Sequence, residues 1–371
     1  MDSSLKAKLL LNACLAPLSA WEAISGDPDE LLNGSRSDGK LSGKLSEKLS
    51  MRPSSLTLLS KLRAERDWPE REMERVQAFG ARFVTVDDDE YPARLKDLQK
   101  PPIGLYIKGN LNEIKPSVAI VGTRRCSQYG KSVADALGRA VVNVGFQVVS
   151  GGAAGIDTAG HRACLSALGV TTVVFGTAIN RVYPAENRDL FHEIAERGAL
   201  VSEYPMGIGG ESWHFPLRNR IIVGLAGRVV VVESPEDGGA MITARLALDM
   251  GREIWAVPGR LSDAPSRGAN ALIRDGANVL CDIEDFAEKI SGHYGQLFLD
   301  FPSGGEPADA PALSNDEKAV LEILRKQGNR TVDDIMAEGD LSFVEAQSGL
   351  ATLSAYGLVV SSGPGRYSAG V

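Results

Sequence analysis

Short runs of aliphatic and β-branched residues alternate with longer helical stretches between residues 117 and 281. The runs are four to seven residues long and read SVAIVG, FQVVS, TTVVFGT, ALVSE, RVVVVES, EIWAVPG and NVLC. Most are followed by the apolar spacing of an amphipathic helix. Strands that are apolar throughout are buried on both faces, which requires helices on both sides of a parallel sheet. The pattern therefore predicts a doubly wound α/β domain.

The chain of 371 residues is long enough for two or three domains. Leucine clusters at helical spacing predict a helical N-terminal domain over residues 1–84. We expect the α/β domain over 85–290, with its core at 116–290, and a Gly-, Pro- and Ala-rich linker over 291–312. Residues 313–371 predict three helices and a hairpin, which is the element order of a winged helix.

The overall composition is that of an ordinary globular protein, with 43% hydrophobic and 24% charged residues. No uninterrupted apolar run reaches the length of about 18 residues that a membrane span needs. The four cysteines are far apart and form no CxxC pair, which disfavours a disulfide framework or a zinc ribbon. The N-terminus matches a signal peptide poorly, so we expect a cytoplasmic protein.

The net charge of −8 argues against a protein that coats nucleic acid through bulk positive charge, although a local basic groove remains possible. Between residues 116 and 290, arginine supplies 15 of the 17 basic residues. Arginine binds phosphates and planar groups through a bidentate fork, whereas lysine acts as a point charge. This bias favours anion binding by the α/β domain.

Loops that follow the strands of a doubly wound sheet form its ligand-binding edge. The loop after SVAIV is not a G-x-G-x-x-G, and no acidic residue ends the second strand, so an NAD site is disfavoured. Its two arginines favour anion binding over chance surface arginines. The candidate residues of this loop are Gly122, Thr123, Arg124 and Arg125.

A second loop, SGGAAG, lies between the strand FQVVS and a predicted helix. Small residues allow backbone N–H groups to approach a phosphate at a helix N-terminus, although a tight strand-to-helix turn is the alternative. The loop lacks the GK[ST] of a P-loop, so nucleotide hydrolysis has no support. The candidate residues are Ser150, Gly151, Gly152, Ala153 and Gly155.

The segment FPLRNRII begins a predicted helix, since proline suits a first helical turn. Arg218, Asn219 and Arg220 then lie near a helix N-terminus, where cations oppose the helix dipole. An anionic ligand would offset that cost. The alternative is an ion pair within the fold, with Glu203 or Glu233.

Two further features lie near the same edge of the predicted sheet. Phe215 and Trp213 could stack on nucleic-acid bases, with packing in the core as an equal alternative. Another small-residue loop, Gly238–Ala244, follows the strand RVVVVES and adds Thr243 to the candidates. Together the loops and the arginine-rich helix start indicate one anion-binding edge.

Catalytic groups are harder to find in the sequence. Asp157 and His161 lie four residues apart on one predicted helix, but no third ligand has metal-site spacing. We expect Asp157 to satisfy backbone groups of the glycine loop instead. Without a G-x-S-x-G elbow or another nucleophile–base pair, we predict no catalytic residue, no metal and no cofactor.

Five motifs in order resemble the DNA-processing protein A family (DprA, also called Smf), over about residues 85–290: GTRRCSQYG, SGGAAGID, FPLRNRII, GGAMITARLALDMGRE and VPG…SRGANALIRDGA. The resemblance implies a non-enzymatic bacterial protein that binds single-stranded DNA and forms a homodimer. It also implies that the protein protects incoming DNA and helps to load the RecA recombinase in natural transformation. The implied DNA contacts fall on Gly122, Thr123, Arg124, the loop Ser150–Gly155, Phe215, Arg218, Asn219 and Arg220.

The chain departs from the family pattern in a few places. Gly238 occupies a position where the family often has serine, and Met241 one where it has leucine. The N-terminal helices are similar to the family's sterile-alpha-motif-like extension only in position and helicity. The C-terminal segment matches the location of a winged helix found in many members.

The sequence disfavours two other functions. Related Rossmann-like enzymes that hydrolyse nucleoside monophosphates carry P-G-G-x-G-T-x-x-E, whereas Ser234–Ala240 reads SPEDGGA with no glutamate at that spacing. A duplex-reading transcription factor would need basic residues on its recognition helix. The predicted third helix of the C-terminal segment has none, and residues 313–371 hold five basic and eight acidic residues. We therefore predict that this segment is a protein-interaction or regulatory element.

Overall fold

The computed structural model describes residues 1–33, 41–111, 116–299, 314–327, 330–339, 341–355, 359–363 and 366–369. These residues divide into two compact units, Met1–Phe298 and Leu299–Val371. Within the described ranges, no helix combines the length and the apolar character needed to cross a membrane.

The N-terminal part of the first unit consists of helices in its described residues. Its helices are α1 (Ser3–Ala13), α2 (Leu18–Ile24), α3 (Pro28–Asn33), α4 (Gly43–Leu49), α5 (Pro53–Ala64) and α6 (Trp68–Ala78). Leucines of these helices, such as Leu10, Leu31 and Leu59, belong to the same buried cluster as Leu105 and Val201 of the sheet. The N-terminal helices therefore share a hydrophobic core with the α/β region.

A nine-stranded sheet forms the centre of the described part of this unit. Its strands are β1 (Arg82–Thr85), β2 (Gly104–Gly109), β3 (Ser117–Val121), β4 (Gln147–Ser150), β5 (Thr171–Phe175), β6 (Ala199–Ser202), β7 (Arg228–Val231), β8 (Glu253–Ala256) and β9 (Asn278–Val279). The spatial order is β1-β2-β6-β5-β4-β3-β7-β8-β9. All seven apolar runs of the sequence form strands β3 to β9, which pair in parallel and confirm a mostly parallel sheet.

Helices cover both faces of this sheet. They are α7 (Ala93–Lys96), α8 (Gln128–Asn143), α9 (Ile156–Ser166), α10 (Arg188–Arg197), α11 (His214–Leu225), α12 (Gly239–Asp249), α13 (Arg267–Arg274) and α14 (Ile283–Leu299), with 3-10 turns at Ala185–Asn187 and Ala264–Ser266. Strand β3 contributes Val118 and Ile120 to one buried cluster, and Ala119 and Val121 to another. Burial on both faces explains why β3 is apolar from Val118 to Val121.

Two strands at one edge of the sheet were not predicted from the sequence. Strand β2 pairs antiparallel with β6, with Tyr106 opposite Ser202, and β1 pairs antiparallel with β2. These pairings join distant segments, so no local pattern announces them. At the other end of the unit, α14 continues through residues 291–299, which were expected to begin a linker. The remainder of that expected linker, 300–312, lies outside the described residues.

The second unit contains three helices and a three-stranded antiparallel sheet in its described residues. Its elements are α15 (Asn315–Gln327), β10 (Arg330–Thr331), α16 (Val332–Gly339), α17 (Phe343–Ala355), β11 (Val359–Gly363) and β12 (Arg366–Ala369). At the start of α15, the Ser314 N–H donates to Glu317 Oε2 at 2.8 Å, and the Glu317 N–H donates to Ser314 Oγ at 3.2 Å. This reciprocal pair is a capping box, which stabilises the helix start.

Candidate nucleic-acid interface

The order of the strands creates a topological switch point at the carboxyl ends of β3 and β7, the end of the sheet that we call its carboxyl edge. Strands β4 and β5 lie on one side of β3, whereas β7 and β8 lie on the other. The loops that leave the carboxyl ends of β3 and β7 therefore diverge, and such a point is where open α/β sheets bind ligands. The segment Gly122–Ser127 follows β3 here.

The N-terminus of α8, the first helix after β3, is capped by Ser127, which is held by the chain's own Glu233. The Ser127 N–H donates to Glu233 Oε2 at 2.8 Å, and the Ser127 hydroxyl donates to Glu233 Oε1. Ser127 Oγ in turn accepts from the Gly130 N–H at 3.0 Å. Glu233 is buried. A carboxylate thus occupies the helix start at which an external anion would otherwise be favoured.

A second internal carboxylate holds the glycine loop after β4. Asp157 Oδ2 accepts from the N–H groups of Gly151 and Ala153, at 3.1 and 3.3 Å. This confirms the expectation that Asp157 satisfies backbone groups of the loop. Burial raises the pKa of Asp157, while the nearby charge of Arg218 and these hydrogen bonds oppose the rise.

The glycine loop itself turns into the protein at Gly152. This residue has φ +67°, and a Cβ there would lie 2.8 Å from Phe191 Cε1 and 2.9 Å from Val173 Cγ1. Its carbonyl accepts from Asn187 Nδ2 at 3.0 Å. Both the backbone conformation and the close packing require glycine at this position.

Arg218 supports the same loop from inside the fold. The Arg218 Nη1 group donates to the carbonyl of Gly151 at 2.9 Å and to the carbonyl of Val174, and Nε donates to Asn219 Oδ1 at 3.3 Å. Burial lowers the pKa of Arg218 to about 10, although the Asp157 charge acts in the opposite direction. Arg218 remains cationic at neutral pH, and its donors are directed at loop and strand carbonyls.

Arg220 forms the internal ion pair that the sequence left open as an alternative. Its Nη2 group donates to Glu203 Oε1 at 2.6 Å, and its Nε group donates to the carbonyl of Lys100 at 2.9 Å. Burial opposes the charged form of Arg220, but the neighbouring Glu203 carboxylate outweighs it and raises the pKa.

Two hydroxyl candidates are also enclosed. Ser150 is fully buried, and its Oγ donates to the carbonyl of Ile120 at 2.6 Å. Thr243 is buried within α12. The enclosed candidates are therefore Ser150, Arg218, Asn219, Arg220 and Thr243. Direct DNA contact stays a prediction for these side chains, and their positions favour a role in shaping the edge.

Arg124 and Arg125, in contrast, are exposed at the end of β3. The Arg124 guanidinium lies 5.3 Å from the ring centre of Phe215 and 5.8 Å from that of Tyr183, within cation–π range. Arg124 Nη1 donates to the Tyr183 hydroxyl at 3.3 Å, and the two rings are 5.5 Å apart. We call Arg124, Tyr183 and Phe215 the arginine–aromatic cluster.

The position of Phe215 in this cluster depends on a glycine after β5. A Cβ at Gly176 would lie 2.8 Å from Phe215 Cδ1, so only glycine leaves room for the ring. Trp213, at the start of α11, is exposed as well. Sequence reasoning selected Arg124 and Phe215 but missed Tyr183. The available signal was its place in a loop that follows a parallel strand.

Asp157 and His161, the spacing of which suggested a metal pair that the sequence disfavoured, are both engaged within the fold. Asp157 is engaged by the loop, and Nδ1 of the fully buried His161 lies 2.7 Å from Thr171 Oγ1. Burial, together with the charge of Arg218, lowers the pKa of His161 to about 3. Across the residues that the structure describes, no group of three or more His, Cys, Asp or Glu side chains is arranged to hold a metal ion.

Comparisons with known proteins identify relatives of this chain. The sequence profile of the DNA recombination-mediator protein A family matches residues 82–291. The DNA processing protein DprA of Bacillus subtilis is 38% identical over 213 residues, which cover 57% of this chain and 72% of that protein. The resemblance noted from the five motifs is thereby confirmed.

Two solved structures are similar to this fold. The X-ray structure of DprA from Streptococcus pneumoniae has a TM-score of 0.64 at 28% identity, covering 82% of this chain and 99% of that one. The structure of DNA processing protein A from Helicobacter pylori, described for its single-stranded DNA binding mode, has a TM-score of 0.53 at 29% identity. The match covers 57% of this chain and 97% of that one. Since the family profile matches more than half of the chain, the protein belongs to the DNA recombination-mediator protein A family.

Proposed function

We propose that this protein binds single-stranded DNA at the carboxyl edge of its sheet, around the arginine–aromatic cluster and Arg125. The observation that carries the proposal is the exposed Arg124 guanidinium lying over the rings of Tyr183 and Phe215. Proteins that bind single strands combine cations for the phosphates with aromatic rings on which bases stack. The Helicobacter pylori relative, described for its single-stranded DNA binding, supports the same ligand class.

The internal carboxylates favour a strand over a mononucleotide. Glu233 accepts from the N–H and the hydroxyl of Ser127 at the start of α8, and Asp157 occupies two N–H groups of the glycine loop. A mononucleotide would need such backbone donors for its phosphate. The exposed side chains instead suit a ligand that lies across the edge. The nucleoside-monophosphate hydrolase alternative is accordingly disfavoured, and the proposed protein acts without catalysis or a cofactor.

Family membership and the motif resemblance support a biological role. In this proposal the protein acts in the bacterial cytoplasm, protects incoming single strands and helps to load RecA during natural transformation. The acting form is a homodimer assembled through the α/β region. Light scattering of the full chain and of a variant ending at residue 298 tests this: both are expected to be dimers. A monomeric 1–298 variant would place the interface in the second unit.

The second unit is proposed to be a winged helix that contacts a protein partner. Helix α17 contains no lysine or arginine, and its buried residues Ala346, Leu350 and Leu353 form its core-facing stripe. A helix of this kind offers no cation to DNA phosphates.

A gel shift with matched single- and double-stranded oligonucleotides at about 50 and 200 mM salt tests the main proposal. The single strand is expected to bind more tightly, and its binding should weaken at the higher salt. Incubation with AMP is expected to leave the nucleotide intact. Release of free base from AMP, or equal binding of both oligonucleotides, would contradict the proposal.

A further inference from the structure

We propose that Tyr183 contacts DNA: its ring stacks on a nucleobase, and its hydroxyl positions the Arg124 guanidinium for the adjoining phosphate. This inference rests on the proposed function, because it takes single-stranded DNA as the ligand. It adds to the DNA-binding edge a residue that no sequence motif selected.

The exposure of the Tyr183 ring is the first argument. Tyr183 is 47% exposed and Tyr129 is 51% exposed, whereas Tyr91, Tyr106 and Tyr204 in the same unit are 3, 0 and 2% exposed. An aromatic ring held at the surface keeps apolar area in water, and a stacked base would remove that area.

The partners of the ring are the second argument. Phe215 lies 5.5 Å away with the two ring planes tilted by 47°, and the Arg124 guanidinium lies near both rings. A nucleotide joins a flat base to a phosphate, and this cluster offers an aromatic face beside a cation. The hydrogen bond from Arg124 Nη1 to the Tyr183 hydroxyl orients that cation.

The anchoring of the loop is the third argument. Before Tyr183, the Thr177 hydroxyl donates to the carbonyl of Arg181 at 2.9 Å. After it, Asn187 Nδ2 donates to the carbonyl of Gly152 at 3.0 Å and to Thr158 Oγ1 at 2.7 Å. Because the loop is held on both sides of the ring, little conformational entropy is lost when a base stacks on it.

The test uses the full chain and fluorescence anisotropy with two labelled oligonucleotides of equal length. One carries thymine bases, and the other carries abasic sites on the same sugar-phosphate backbone. The variants are Tyr183→Ala, Tyr183→Leu and Tyr183→Phe. Leu168→Ala is the control. This exposed residue comes just before β5, so it lies at the amino ends of the parallel strands, away from the proposed DNA-binding edge.

The alanine and leucine variants are expected to lose about tenfold in affinity for the thymine strand, and no more than about twofold for the abasic strand. The phenylalanine variant keeps the ring, so it should lose only about twofold on each strand through Arg124. The Leu168 variant should bind both strands as the wild type does.

Two results would overturn the inference while leaving the proposed function intact. The first is wild-type affinity of the alanine and leucine variants for the thymine strand. The second is an equal loss on both strands, which would make Tyr183 a structural residue. A wild-type protein that binds neither strand would overturn the proposed function itself, and the inference with it.

Discussion

Arg220 donates from Nη2 to Glu203 Oε1 at 2.6 Å, with both side chains almost fully covered. A family motif residue that looked from the sequence like a DNA contact is therefore committed to an internal partner. Removing one member of a buried ion pair leaves an uncompensated charge, which costs more than the pair itself contributes.

We expect Arg220→Ala to lower the free energy of unfolding by about 3–5 kcal/mol, because Glu203 would be left buried without its partner. Chemical denaturation measures this. Arg274→Ala serves as the control, since Arg274 pairs with Asp275 at the surface, and it should change stability little. A stable Arg220→Ala protein that has lost DNA binding would instead assign Arg220 to the DNA surface.

The exposed and enclosed arginines should respond differently to salt. Arg124→Ala and Arg125→Ala are each expected to reduce the slope of log affinity against log salt by about 0.7 for each phosphate that the arginine neutralises. Arg218→Ala should keep the wild-type slope but melt at a lower temperature, since its donors hold Gly151 and Val174. A reduced slope with an unchanged melting temperature in Arg218→Ala would show that Arg218 reaches phosphate.

His161 should make the protein less stable as the pH falls. The Thr171 hydroxyl donates to the carbonyl of Val148 and therefore accepts from the His161 Nδ1–H, which leaves Nε2 buried without a partner in the described structure. Burial lowers the pKa of His161 from 6.5 to about 3, so below pH 6.5 the unfolded chain binds a proton that the native state does not bind. The contribution of His161 to stability is therefore complete above pH 6.5 and decreases as the pH falls.

Relative to His161→Asn, the wild type is expected to lose about 1.4 kcal/mol per pH unit between pH 6 and pH 4. Urea denaturation at several pH values measures the difference between the two slopes. Only the slopes are compared, because the substitution also changes packing. Parallel pH profiles for the two proteins would contradict the buried neutral state of His161.

Gly152 is expected to matter for stability before it matters for binding. Gly152→Ala should lower the free energy of unfolding by about 2–4 kcal/mol. The residue has a positive φ, and an added Cβ would overlap Phe191 and Val173. Gly239→Ala is the matched control, because a Cβ there meets nothing within 4 Å. If Gly152→Ala is as stable as the wild type, the loop has more room than the structure indicates.

The second unit should not bind duplex DNA. A fragment covering residues 299–371 is expected to leave a duplex of about 30 base pairs unshifted at about 0.1 M salt, since an acidic segment releases no counterions from DNA. The full chain with a single strand is the positive control. Micromolar binding of the duplex by the fragment would favour a transcriptional role.

The architecture of the sheet could be predicted because burial of a strand on both faces requires a local run of apolar residues in the sequence. The central parallel strands are largely apolar, as in Val118–Val121, and the helix between two strands shows its own period. The capping box of Ser314 and Glu317 likewise follows from a local pattern, a serine three residues before a glutamate at a helix start. The antiparallel strands β1 and β2 lack such a local pattern, because their place depends on pairing with the distant β6.

The sequence by itself determined which residue types come to the carboxyl edge of the sheet, since strand order along the chain sends every such loop to that edge. Only the tertiary structure decided which of them face solvent. Inside the fold, Arg218 donates to backbone carbonyls and Arg220 to a carboxylate, whereas Arg124 lies over two aromatic rings at the surface. Guanidinium groups look alike in a sequence, and their roles differ because distant segments supply their partners.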